Sequence, residues 1–221
     1  MDYQIIRLST LPAGTANPAL LSAEEQNLAA RRGEIYLLVR SLLRRELGRR
    51  LGLPPAEVRL SIGEHGKPQL AEGSYPTGAP LHFNLSHSGD LLALAFAHSP
   101  IGIDIERHRP RPFAKLAPRF MCPEQQELFE QAGCPEALFF DCWCAMEALI
   151  KREGLSLWQA RQHPFVCEHG RIRLLQGSPP RCLRLITPAP GYSGAIACDD
   201  EVPDAPGPAA PQEVSSQRKP F

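Results

Sequence analysis

The sequence predicts an α+β fold made of two similar halves, each with antiparallel strands packed on a long helix. Two helical stretches, 24–51 and 137–152, are each followed by several short apolar runs of strand length. With 17 Gly and 23 Pro in 221 residues, the chain is broken too often for a helical bundle. Residues 199–221 differ from the rest: they are acidic and Pro-rich, have no apolar periodicity, and read as a disordered tail. No residue-level repeat relates the halves, which divide as 1–105 and 106–198.

Residues 2–8 (DYQIIRL) make a short strand, and 10–19 a loop. Ser22 with Glu24 and Glu25 is a helix start, combining a capping hydroxyl with acidic first-turn residues. From there to Leu51, Ile35, Leu38, Val39, Leu42, Leu43 and Leu47 form an apolar stripe. The polar side carries seven Arg between residues 31 and 50 against Glu34 and Glu46. Gly52 and Pro54-Pro55 end the helix. Val58–Ile62 reads as a strand and 63–68 as a turn. Leu81–Leu85 is a strand running into a polar loop, Ser86 to Asp90. Leu91–Ala97 is an apolar strand, with Ile101–Glu106 as its hairpin partner. Pro123–Gln131 and Ala137–Arg152 are helices, the second closed by Gly154. Strands follow at Phe165–Glu168, Ile172–Leu175, Cys182–Ile186 and Gly194–Cys198.

Equal numbers of cationic and anionic residues, 24 each, argue against a general nucleic-acid coat. No apolar run reaches the roughly 20 residues of a membrane helix, and no secretory signal opens the sequence. The seven cysteines include no C-x-x-C pair, which speaks against structural zinc. Reduced thiols in a cytoplasmic protein are the expectation.

Three segments carry chemistry. In Ile101–Glu106, strand alternation puts Asp104 and Glu106 on one face and Ile103 and Ile105 in the core. Paired carboxylates repel unless a cation separates them, and a hard divalent ion such as magnesium would do so; a solvated acidic strand end is the alternative. On the second long helix, Trp143, Glu147 and Lys151 share a face, while Phe139, Cys142, Met146 and Ile150 share an inner one. Glu147 and Lys151 form either a surface ion pair or a ligand or base with a phosphate partner. Ser86 to Asp90 is either an anion-binding loop or an ordinary turn. A Ser–His nucleophile is unsupported, because no strand–nucleophile–helix elbow surrounds Ser86 or Ser88.

GKP at 66–68, FNLSHSGD at 83–90, IGIDIE at 101–106 and WCAMEALIK at 143–151 occur in the order and spacing that resemble the 4′-phosphopantetheinyl transferases of the surfactin-synthetase-activating type. Weaker similarity at VRSLLR (39–44) and RFM (119–121) extends the resemblance over roughly residues 30 to 198. It implies the fused, pseudo-twofold fold of that family, as a monomer. The implied reaction moves the phosphopantetheine arm of coenzyme A to a serine of an apo acyl or peptidyl carrier protein, releasing adenosine 3′,5′-bisphosphate. Asp104, Glu106 and Glu147 would hold magnesium. Glu147 would take the serine proton, and Lys151 would offset charge on phosphate oxygens. Arg40, Lys67, Ser86 and His87 would hold the 3′-phosphate and adenine end in the first half. Arg107, Arg109, Arg111, Phe113, Lys115 and Leu116 would form a docking strip for the acidic carrier; a Pro-stiffened solvated loop is the alternative. The sequence departs from the family at Met146, where a Lys usually precedes the Glu, and at Gln125, where an acidic residue often falls. Those departures motivate a second reading, a catalytically silent homologue that binds coenzyme A or a carrier.

Overall fold

The computed structural model describes residues 1–63, 66–74, 80–133, 135–156, 159, 163–175 and 182–199. Its order begins with β1 (Asp2–Arg7), α1 (Ala23–Arg32), α2 (Glu34–Leu51), β2 (Leu60–Ile62), β3 (Pro68–Leu70), β4 (His82–Ser88), β5 (Leu91–Ala97) and β6 (Gly102–Arg107). It continues with α3 (Phe113–Leu116), α4 (Pro123–Gln131), α5 (Glu136–Glu153), β7 (Phe165–Glu168), β8 (Arg171–Leu174), β9 (Cys182–Ile186) and β10 (Tyr192–Cys198). The α+β class and the antiparallel strands are as expected. Beyond Asp199, the expected tail lies outside the described residues, as does Cys134.

Two three-stranded antiparallel sheets, β1-β5-β4 and β6-β10-β9, lie between α2 and α5. Strand alternation decides the layering. On β5, Leu92, Leu94 and Phe96 face α2 with Leu43 and Leu47, while Leu91, Ala93, Ala95 and Ala97 meet Ile103, Ile105 and Ile196 of the second sheet. On β10, Ala195 and Ala197 face the opposite way, onto Ala145, Ala148 and Leu149 of α5. The result is four layers, helix–sheet–sheet–helix, with an apolar cluster at each interface.

Three expectations differ from the structure. The helix over 24–51 is two helices, broken at Gly33, whose φ of +86° a side chain would resist. Ile101–Glu106 is not a hairpin partner of Leu91–Ala97; β5 pairs with β1 and β4, and β6 pairs with β10. The run from Ser86 is not a loop, because β4 continues to Ser88 before Gly89 turns the chain with φ +58°. The 105/106 division between halves falls inside β6.

The basic side of α2 is partly internal. Arg44 is 2% exposed; its Nε donates to Glu25 Oε2 at 2.6 Å and its Nη1 to the carbonyls of Pro55 and Val58. Glu25 also closes the capping box with Ser22 at the start of α1. The buried Glu25–Arg44 pair thus joins α1, α2 and the following turn, and each internal charge is paired.

Candidate active site

The site forms where α5 crosses β6. The crossing is close because residue 102 is glycine: a Cβ there would stand 2.0 Å from the Ala148 carbonyl oxygen and 2.6 Å from the Arg152 nitrogen. Gly102, Asp104 and Glu106 alternate along one face of β6, and α5 brings Glu147 and Lys151 over that face.

Asp104 is 5% exposed. Its Oδ1 accepts from Lys151 Nζ at 2.7 Å and from Ser86 Oγ at 2.8 Å. Lys151 Nζ also donates to the Ile103 carbonyl at 3.2 Å. Asp104 Oδ2 is buried and has no hydrogen-bond partner. Glu106 is half-buried, and its Oε2 accepts from Ser88 Oγ at 2.7 Å. Glu147 is half-buried, and burial pushes its carboxyl above the ordinary range. Asp104 and Glu106 push it further up and Lys151 opposes them. Three carboxylates therefore feel one another at a half-dry surface, with one lysine as counter-charge.

Among the described residues, no three His, Cys, Asp or Glu side chains stand close enough together to hold a metal ion as placed. The donor chemistry nevertheless fits one. An orphaned, buried carboxylate oxygen beside two further carboxylates is an all-oxygen set suited to a hard divalent cation.

The remaining candidates separate. Lys67 Nζ donates to the carbonyls of Ile101, at 3.1 Å, and Lys151, so it bridges the two halves next to the site. Burial first, then the Lys151 and Arg152 charges, lowers its pKa to about 8. Lys67 also lines a 410 Å³ cavity with Gln69, His82, Phe83 and Arg152. His87 is exposed on the face of β4 opposite to Ser86. Arg40 is not in this group. Its Nε lies 3.7 Å from Glu25 and donates to Tyr36 Oη, and it lines a separate 850 Å³ cavity between α1, α2 and β2.

In the second half, Arg107, Arg109, Arg111, Lys115 and Arg119 are all exposed, and Phe113 and Leu116 are half-buried. A groove of 290 Å³ runs from this strip to Glu106, floored by Phe120, Phe139, Phe140 and Trp143.

Comparison with known proteins bears on this arrangement. Residues 100–188 match the model of the 4′-phosphopantetheinyl transferase superfamily, and residues 28–99 that of the 4′-phosphopantetheinyl transferase N-terminal region. The chain is 38% identical over 165 residues to the 4′-phosphopantetheinyl transferase AcpT of Salmonella typhimurium, covering 71% of this chain and 77% of that protein. The chain belongs to the 4′-phosphopantetheinyl transferase superfamily. A second relative, the 4′-phosphopantetheinyl transferase psf-1 of Bacillus pumilus, is 33% identical over 72% of this chain and 69% of its own. The transferase Sfp of Bacillus subtilis is 31% identical over 70% and 69%. This chain's enzyme class is accordingly that of a 4′-phosphopantetheinyl transferase.

The transferase's two departures from the pattern are neighbours. Gln125, 1% exposed, and Met146, 2% exposed, line the same 190 Å³ cavity with Phe120 and Cys142, on the inner face of α5. Gln125 Oε1 accepts the Cys167 N–H, and its Nε2 is buried without a partner. Glu124 does not substitute for an inward acid, because it is exposed and bonds Arg173. Met146 thus packs in the core, whereas Glu147 and Lys151 emerge on the other side of the helix.

Sequence reasoning missed Ser88. Its signal was present: Asn84, Ser86 and Ser88 alternate along one strand, so three short polar side chains share a face.

Proposed function

We propose that this chain transfers the 4′-phosphopantetheine arm of coenzyme A to a serine of an apo acyl or peptidyl carrier protein, in a magnesium-dependent reaction that releases adenosine 3′,5′-bisphosphate. The observation that carries the reading is the meeting of Asp104, Glu106, Glu147 and Lys151 where α5 crosses β6. Asp104, Glu106 and Glu147 would hold the ion. When bound, magnesium supplies charge neutralisation for the diphosphate and polarises it.

The serine oxygen bonds the β-phosphorus as the bond to the adenosine bisphosphate breaks. Glu147, directly or through one water, accepts the serine proton, and its raised proton affinity suits that task. Lys151, held by Asp104 and the Ile103 carbonyl, faces the negative charge gathering on the phosphate oxygens. Lys67 and His87 hold the nucleotide end. Arg40, whose Nη1 is buried without a hydrogen-bond partner beside the 850 Å³ cavity, and Ser86, whose hydroxyl donates to Asp104, complete that set. The exposed basic strip and its apolar groove receive the acidic carrier. The placement of Met146 inside α5, away from the carboxylates, favours catalysis over the silent reading.

Intact-mass analysis tests the reaction. Apo carrier incubated with the protein, coenzyme A and magnesium is expected to gain one phosphopantetheine, and a chelator to abolish the gain. No gain on several acyl and peptidyl carriers, with coenzyme A still bound, would replace this reading with the silent one.

Lys67 adds a pH signature. Because its pKa is lowered to about 8, the charged form is present below that pH and lost above it. The KM for coenzyme A is expected to rise as pH passes about 8, and Lys67→Met should remove that inflection while leaving a higher KM throughout.

A further inference from the structure

The outer edge of β6 is covered by side chains instead of a strand. Along β6, alternate N–H groups face β10, and the others point away from it. Those others are taken one by one from β4. Ile103 N–H donates to Asn84 Oδ1 at 3.2 Å, Ile105 N–H to Ser86 Oγ at 3.3 Å, and Arg107 N–H to Ser88 Oγ at 3.1 Å. Each serine hydroxyl in turn donates a hydrogen bond to the preceding carboxylate. Ser86 donates to Asp104 at 2.8 Å, and Ser88 to Glu106 at 2.7 Å.

A hydroxyl has one donor and two acceptor sites. With the backbone N–H fixing where the oxygen sits, the hydroxyl proton is directed at the carboxylate, and Oε2 of Glu106 is held in place. Lys151 provides a second hold on Asp104, whereas Glu106 is held by the Ser88 hydroxyl. We infer that Ser88 is the positioning residue of Glu106, setting the rotamer in which that carboxylate serves a divalent cation, with Ser86 doing the same for Asp104. The inference rests on the cation reading of the site given above.

The test measures manganese binding by electron paramagnetic resonance, with coenzyme A present, alongside thermal unfolding. Ser88→Ala is expected to weaken manganese binding about tenfold, as loss of an outer partner of a ligand does. Ser88→Thr, which keeps the hydroxyl, should restore binding to within about twofold, whatever either change does to the unfolding temperature. Asp104→Ala serves as the reference. If it weakens binding and Ser88→Ala does not, or if Ser88→Thr is no better than Ser88→Ala, the positioning role of Ser88 is overturned. If Asp104→Ala and Glu106→Gln both bind manganese like the parent, the cation reading fails and this inference with it.

Discussion

Replacing Glu147 with Gln is expected to lower transfer by about 10²–10⁴-fold, the range for loss of a positioned acid–base group, while raising the unfolding temperature. The two effects have one cause. Burial and the neighbouring Asp104 push the Glu147 carboxyl up, so in the folded protein its charged form is disfavoured relative to the unfolded chain. The folded state therefore holds its proton to higher pH than the unfolded state does. Stability from this group falls as pH rises from the ordinary carboxylate value through the raised one. Gln keeps the shape and removes the charge, so it relieves that cost at neutral pH and removes the base. The paired measurement is the carrier mass shift and a thermal melt. A variant that transfers within tenfold of the parent would take Glu147 out of the chemistry, and one that melts lower would contradict the electrostatic account.

Gly102→Ala is the second large effect. The new methyl would lie 2.0 Å from the Ala148 carbonyl oxygen, a backbone atom that no rotamer change can move. Either α5 lifts from β6 or the strand retreats, at about 3 kcal/mol. Both responses separate Lys151 from Asp104, so transfer falls with stability. Gly194→Ala is the control: its nearest atom is the side-chain Cγ1 of Ile186 at 2.9 Å, which can turn away more cheaply. Urea unfolding of the two variants should show the larger loss at position 102. Equal losses would mean that the crossing is softer than its distances suggest.

These expectations show what the sequence made legible. Strand alternation placed Asp104 and Glu106 on one face, and helical spacing put Glu147 and Lys151 together, because both are local periods. Local patterns could not pair β6 with β10, since that contact spans about 90 residues of chain and nothing between residues 97 and 102 distinguishes a hairpin from a crossing to another sheet. Seven arginines on one stretch suggested an open cationic face. Arg40 and Arg44 turn inward because Glu25, on a different helix, meets them there. The break within 24–51 lies at one residue, Gly33, whose positive φ ends one helix and starts the next while the apolar spacing continues across it. Residues 86–90 read as a loop because Ser, Gly and Asp are turn formers. In the structure β4 runs on to Ser88, and the Ser86 hydroxyl donates to Asp104.

The joint between β4 and β6 has a consequence for how the halves stay together. Only the short link from His98 to Ile101 separates β5 from β6 in the chain. A tether that short presents each half to the other at an effective concentration on the order of millimolar. Three single hydrogen bonds from Asn84, Ser86 and Ser88 therefore need not hold the halves against dilution. They are free to fix register, and the same hydroxyls can be directed at the carboxylates. Severed within that link, the molecule would depend on the apolar interface between its sheets for association, and on the side chains of β4 only for alignment.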